Sequence, residues 1–155
     1  MTYIIISGVL IVIGLVWLAW FLGGPVRYRS RVDDDKLNAF FTELLSSVYK
    51  TGFLVFVAPD KQQLVQFRRY QTEDTPGLRF DFPLRPGFEH YYQSLKQVLS
   101  ARGIDYQTTT DRDSINYITV NLEQDCPKAT NLARLVLLEV LKLKPEDQVE
   151  ILFGK

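Results

Sequence analysis

The chain has 155 residues, which is enough for one domain with a short additional segment and too few for two hydrophobic cores. Its 18 Lys and Arg residues balance its 18 Asp and Glu residues, so the molecule as a whole has no field that would attract nucleic acid or an acidic partner. The single cysteine, Cys126, excludes a small scaffold held by disulfides, and an apolar content of 46% excludes a disordered chain.

The first predicted element is a transmembrane helix, which would make the chain a single-pass membrane protein. Residues 3–22 carry no charge, and about 20 helical residues cross the hydrocarbon layer of a bilayer. Tyr3 near one end and Trp17 and Trp20 near the other match the aromatic residues that favour both membrane interfaces. A cleavable signal peptide is the alternative, but the start has no basic residue and no Ala-x-Ala-like cleavage site follows. We therefore predict a transmembrane anchor over residues 1–24.

Three arginines follow the predicted span and set its predicted orientation. Arg27, Arg29 and Arg31 lie in residues 25–32, which we predict to be a basic juxtamembrane linker. Because Lys and Arg next to a span mark its cytoplasmic side, we predict that the N-terminus lies outside and the domain in the cytoplasm. In a bacterium the membrane would be the inner membrane. Membrane lipid is then a predicted partner through the N-terminal helix.

Residues 33–155 are predicted to form one soluble α+β domain. Apolar residues at helical spacing predict helices over about 33–52, 88–102 and 125–143. Alternating or continuous apolar runs predict strands at 53–58, 64–70, 78–84, 105–109, 115–123 and 149–153. In the third strand Leu78, Phe80 and Phe82 alternate with Arg79 and Asp81, which predicts one buried and one polar face.

From residue 78 onward the predicted order of elements is β-α-β-β-α-β. This order resembles the ferredoxin-like split β-α-β architecture. The predicted fold class of the whole chain is therefore α+β, with one N-terminal transmembrane helix, then a helix, a β-hairpin and a ferredoxin-like β-α-β-β-α-β sheet with its helices on one face. The resemblance rests on element order alone and implies a fold without implying an activity.

No motif in the chain requires an enzyme, and we predict neither a cofactor nor a metal. Both glycine-rich phosphate-binding motifs are absent from the sequence, and His90 is the only histidine. Cys126 at the start of a helix is a candidate nucleophile, because that position lowers the pKa of a thiol. Asp111 and Asp113 in one turn are candidate oxygen ligands for a cation. We interpret both features as structural, and a small membrane-bound enzyme that uses Cys126 or this turn remains an alternative hypothesis.

Positive charge and one aromatic ring concentrate around the predicted hairpin. The candidate binding residues are Arg68, Arg69, Tyr70, Arg79 and Arg85. The aromatic motif of RNA-recognition domains is absent, which argues against nucleic acid as the partner. We predict a membrane-anchored, non-enzymatic protein-interaction domain, an adaptor or assembly module that binds a protein partner with this patch. A protective or inhibitory binding protein at the membrane is a further alternative, and homo-oligomers are left open.

Overall fold

The computed structural model describes residues 24–47, 51–59, 64–73 and 75–154. The strands in these ranges are β1 (Val26–Arg31), β2 (Gly52–Val57), β3 (Leu64–Thr72), β4 (Thr75–Pro83), β5 (Gln107–Thr110), β6 (Asn116–Glu123) and β7 (Gln148–Gly154). The helices are α1 (Asp34–Ser46), α2 (Glu89–Ala101) and α3 (Cys126–Leu135), and α3 continues into a π-helical turn over Val136–Val140. The described part of the chain is therefore an α+β structure.

All seven strands belong to one antiparallel sheet in the order β1-β7-β2-β3-β4-β6-β5. Strands β2, β3 and β4 pair in sequence order, and β5 pairs with β6. The last strand in the chain, β7, lies between β1 and β2. Strands β1 and β5 form the two edges of the sheet.

Short-range sequence signals explain where the helices begin and end. The Asp33 carboxylate caps α1 and accepts hydrogen bonds from two backbone N–H groups of the first turn, at 3.0 and 3.2 Å. Asp125 caps α3 in the same way and accepts a hydrogen bond from the Lys128 N–H at 2.8 Å. Helix α2 is followed by Gly103, whose φ of +62° is a conformation that glycine adopts without steric cost.

One hydrophobic core lies between the helices and one face of the sheet. Phe67 of β3 is fully buried at its centre, with its ring centroid 4.7 Å from that of Phe41 in α1 and 5.2 Å from that of Phe80 in β4. Leu95 of α2 and Leu132 of α3 belong to the same core. Because all three helices contribute to this core, they pack on the same face of the sheet.

The predicted ferredoxin-like arrangement is wrong, although its element order from β4 to β7 occurs. The unit β4-α2-β5 is a split β-α-β, because only β6 lies between its two parallel strands. In the unit β6-α3-β7, however, three strands separate β6 from β7, because the hairpin of β2 and β3 is inserted beside β4. Element order does not contain this information, since it does not specify which strands pair.

The predicted transmembrane helix is also wrong for the described chain. In residues 24–154, apart from the gaps given above, no helix is long and apolar enough to cross a membrane. The three helices have 13, 13 and 10 residues and each has a polar face, whereas a span needs about 20 apolar residues. The single-pass topology and the cytoplasmic placement depended on this helix, and the described residues do not bear them out. The predicted anchor, with Tyr3, Trp17 and Trp20, lies outside the described residues except for Gly24.

The segment predicted as a linker, residues 25–32, contains strand β1. Arg27, Arg29 and Arg31 lie on this strand opposite β7, and Arg27 forms an ion pair with Glu150 at 3.5 Å. Tyr28 lies between Arg27 and Arg29 on the strand, so its side chain faces the helices. Its ring contacts Phe40 of α1 with centroids 5.2 Å apart. The alternation of polar and apolar residues is therefore that of an edge strand.

Candidate functional site

The two faces of the sheet have different surroundings. The helices pack on one face, and within the described ranges no helix covers the other, which we call the open face. It consists of the odd-numbered residues of β1, β2, β4, β5 and β6 and the even-numbered residues of β3 and β7. Its charged residues are Arg27, Arg29, Arg31, Arg68, Arg79, Asp81 and Glu150. Glu123 lies beyond a β-bulge of β6, where it pairs with the core residue Leu78. Five arginines against two carboxylates leave a surplus of positive charge on this face.

Arg68 and Arg79 form the centre of this charge. They lie directly opposite each other on β3 and β4, a position at which like charges destabilise a sheet. The Asp81 carboxylate compensates them both: Arg68 Nε lies 2.6 Å from Oδ2, and Arg79 Nε lies 3.3 Å from Oδ1. The Asp81 side chain is 2% exposed, whereas those of Arg68 and Arg79 are 45% and 42% exposed. One buried carboxylate thus holds two partly exposed guanidinium groups, which we call the arginine pair.

Hydrogen bonds from neighbouring strands fix the position of this carboxylate. The hydroxyl of Thr119 on β6 donates to Asp81 Oδ1 at 3.1 Å. The hydroxyl of Thr109 on β5 lies 3.2 Å from that of Thr119 and is hydrogen-bonded to it. Asp81 is therefore the end of a polar chain that begins at the edge of the sheet, and its orientation determines that of the arginine pair.

A second polar contact on the open face involves Tyr70. Its ring lies over Gly77 of β4 so closely that a Cβ at residue 77 would be 2.4 Å from a ring atom. Its hydroxyl donates to the Asn121 side-chain carbonyl of β6 at 2.8 Å. Glycine at residue 77 therefore allows Tyr70 to reach across β4 to Asn121.

Tyr117 of β6 borders the same region. Burial raises the pKa of its hydroxyl, and the negative charge of Asp111 raises it further, while Arg68 acts in the opposite direction. Tyr117 is therefore neutral at neutral pH and presents a hydroxyl rather than a phenolate to the open face.

An apolar strip lies on the other side of the arginine pair. It consists of Phe53 and Val55 of β2 and Leu152 of β7, all of which are half-buried. The Phe53 ring covers Gly154, where an added Cβ would be 2.2 Å from a ring atom. Beside the arginine pair lies an open cavity of about 650 Å³, to which Phe53 of the strip, Arg68 and Arg79 contribute.

The structure brings four of the five candidate binding residues to the border of one cavity. Arg68, Tyr70 and Arg79 lie on the open face. Arg69 borders the cavity as well, although it belongs to the other face of the sheet. Arg69 has the opposite parity on β3, so it points towards the helices, where it is 8% exposed and its Nε contacts the Leu45 carbonyl oxygen at 3.4 Å. Arg85 follows the end of β4 and is half-buried.

Sequence reasoning missed several residues of this region. Asp81 and Thr119 hold the arginine pair, Asn121 positions Tyr70, and Phe53 provides a ring. The alternation of β4 does place Asp81 on the same side as Arg79, which was the available signal. The contributions of β2 and β6 depend on strand pairing, and no local pattern contains that information.

The residues considered for catalysis have other contacts. Cys126 is the first residue of α3 and packs half-buried against the core. His90 is exposed near the start of α2, where its ring contacts Tyr91 with centroids 4.0 Å apart. No hydrogen bond joins these two residues, both of which belong to the described ranges.

The acidic turn between β5 and β6 is held by its own backbone. Asp111 Oδ1 accepts hydrogen bonds from the N–H groups of Asp113 and Ile115 at 2.9 and 3.0 Å, a typical use of aspartate in turns. Among the residues that the structure describes, no group of three or more His, Cys, Asp or Glu side chains could hold a metal ion.

Comparison of this chain with models of protein families, with curated proteins and with solved structures found no match.

Proposed function

We propose that this protein is a non-enzymatic interaction domain that binds a protein partner with the open face of its sheet. The observation that carries this proposal is the arginine pair, Arg68 and Arg79, held by the buried Asp81 on the face away from the helices. An antiparallel sheet can leave one face to solvent without any functional reason. Two opposed arginines with only one carboxylate between them, however, retain a positive charge that favours an acidic partner.

The composition of the region favours a protein as that partner. Arginine and aromatic residues are enriched at the centres of protein interfaces, and here Phe53 and Tyr70 stand on either side of the arginine pair. The strip of Phe53, Val55 and Leu152 adds apolar area next to the charge. A partner that presents acidic side chains around an apolar contact would complement both features, whereas a phosphate backbone would complement only the charge.

A photo-crosslinking experiment tests whether the open face is the interface. Benzoylphenylalanine is introduced at Val55 in the apolar strip and, as a matched control, at the exposed residue Gln93 of α2 on the helical side. We expect irradiation in cells to give one discrete protein adduct from residue 55 and none from residue 93. The captured protein is identified by mass spectrometry and purified, and its affinity for the full chain is measured. Equal adducts from both positions, or none from residue 55, would refute the proposal.

Charge reversal tests the role of the arginine pair in the same assay. The double variant Arg68→Glu and Arg79→Glu is expected to abolish the adduct from residue 55. The control Lys36→Glu makes a charge reversal of the same sign at an exposed residue of α1 and is expected to leave the adduct unchanged. Arg69 is omitted from the binding variants, because it is buried on the other side of the sheet.

A further inference from the structure

We infer that the arginine pair is a binding site for a carboxylate, the side chain of an aspartate or glutamate of the partner next to an apolar residue. This inference rests on the proposed function and names the group that the open face recognises. The site comprises Arg68, Arg79 and the adjoining Phe53 ring, which together border the cavity of about 650 Å³.

The geometry of the guanidinium groups supports this assignment. Both arginines contact Asp81 through Nε. The two side chains are 45% and 42% exposed, so each guanidinium group remains accessible to a second partner. An arginine whose Nε is held by a fixed carboxylate still has N–H donors for a second acceptor, and a planar carboxylate matches that donor pattern. Asp81 therefore acts as a positioning residue, and the guanidinium groups are accessible to the ligand.

The charge of the cluster favours an anion in this position. Two guanidinium groups and one carboxylate leave one unbalanced positive charge, and the two cations lie on directly opposite residues of adjacent strands. A second carboxylate would balance the charge and reduce the repulsion between them. Glu73, at the end of β3, is another carboxylate that borders the cavity, but the ion pairs of the arginines are made with Asp81.

The neighbouring surface favours a carboxylate on a protein over a phosphate. Phe53 is half-buried and lies beside the arginine pair, and the apolar strip continues from it to Val55 and Leu152. A residue next to the bound acid would therefore contact apolar area. The predicted recognition element is an acidic residue followed or preceded by Leu, Ile, Val or an aromatic residue.

The test uses the full chain and a short peptide in which glutamate and leucine alternate. Nuclear magnetic resonance is used to follow the Nε–Hε signals of Arg68 and Arg79 during titration. We expect these signals to shift with the glutamate peptide and to remain unchanged with the same peptide carrying glutamine in place of glutamate. The double variant Arg68→Lys and Arg79→Lys keeps the charge but loses the planar donor pattern, and it should bind the peptide about tenfold more weakly.

Two further variants separate recognition from folding. Arg29→Lys is the matched control, because it lies on the open face but on edge strand β1, away from β3 and β4; it should leave the affinity unchanged. The triple variant Arg68→Gln, Arg79→Gln and Asp81→Asn removes the site together with its buried charge, and it should bind no peptide while remaining folded.

Each other outcome has a defined meaning. Equal shifts with glutamate and glutamine peptides, or no shift with either, would overturn the inference. Inorganic phosphate that shifts the arginine signals as strongly as the peptide would mean a general anion site, and tighter binding of a single-stranded oligonucleotide would mean a nucleic-acid surface; both overturn it. The crosslink from residue 55 distinguishes the two proposals: an adduct that persists in the Lys double variant and in the triple variant refutes carboxylate recognition but leaves the protein-interaction function intact.

Discussion

The cluster of Arg68, Arg79 and Asp81 makes a prediction about stability that does not depend on any partner. A hydrogen bond to a charged group contributes about 1.5–3 kcal/mol, but both arginines are almost half exposed, so we reduce this to about 1 kcal/mol each. Arg68→Gln should therefore cost about 1 kcal/mol, and Arg79→Gln somewhat less, because its contact of 3.3 Å is longer than the 2.6 Å of Arg68.

The double variant Arg68→Gln with Arg79→Gln is expected to lose more free energy of unfolding than the two single variants together. With either arginine present, the Asp81 carboxylate keeps one cation, but without both it remains 2% exposed with Thr119 as its remaining side-chain donor. A buried charge that has lost its partner costs about 3–5 kcal/mol. We therefore expect about 4 kcal/mol for the double variant, of which about 2 kcal/mol is coupling between the two sites.

Replacing the carboxylate should reverse about half of this loss. The triple variant that adds Asp81→Asn contains no buried charge, so it should be about 2 kcal/mol more stable than the double variant. Urea denaturation followed by circular dichroism gives the free energy of unfolding of each variant. Arg29→Gln with Arg31→Gln is the control, since it removes the same charge from the open face at edge strand β1. Additive losses in the double variant, or a triple variant no more stable than the double, would refute the buried-charge argument.

Three other substitutions test separate parts of the structure. Gly77→Ala should cost about 1–2 kcal/mol because the added Cβ would be 2.4 Å from the Tyr70 ring; in a Tyr70→Ala background it should cost nothing, and urea denaturation of the four proteins measures the difference. Phe67→Ala should cost about 3–5 kcal/mol, because the side chain is fully buried against Phe41 and Phe80; a loss below about 1.5 kcal/mol on denaturation would contradict its central place in the core. In the folded protein the pKa of the Tyr117 hydroxyl is raised above its unfolded value of about 10. The contribution of this hydroxyl to folding stability is therefore complete below about pH 10 and is lost as the pH rises through the folded-state pKa. Tyr117→Phe should therefore make the alkaline loss of stability less steep, and urea denaturation of both proteins at a series of increasing pH values measures it.

Much of the local structure could be predicted from the sequence. The alternation of Leu78, Phe80 and Phe82 with Arg79 and Asp81 predicted the two faces of β4, and the pairing of this strand with β3 and β6 confirms them, although Asp81 on the polar face is itself buried. The apolar stripes of α1, α2 and α3 were visible for the same reason, because the period of a regular element is a property of its own residues. The start of α3 near residue 125 was predicted, and there the Asp125 carboxylate accepts a hydrogen bond from the Lys128 N–H.

The candidate site could be predicted only in part, because a linear pattern treats neighbours in sequence as neighbours in space. Arg68 and Arg69 are adjacent in the chain but lie on opposite faces of β3, since successive side chains of a strand alternate. The alternation of side chains along a strand could have assigned Arg68 and Arg69 to different faces. Only the position of the helices, however, decides which of the two faces is buried. A continuous apolar strand such as β2 is typical of burial on both faces, whereas Phe53 and Val55 lie half-buried on the open face.

The sequence by itself determined the periods of the elements, the caps of the helices and the amphipathic character of β4. The tertiary structure decided that β7 pairs with β1 and β2, that a hairpin separates it from β4, and that Arg68, Arg79, Asp81 and Thr119 meet on one face. The physical reason is that strand pairing joins backbone groups far apart in the chain, and many pairings satisfy the same local patterns. The pairing that forms is selected by the packing of all the apolar faces into one core, and this selection also positions the arginine pair.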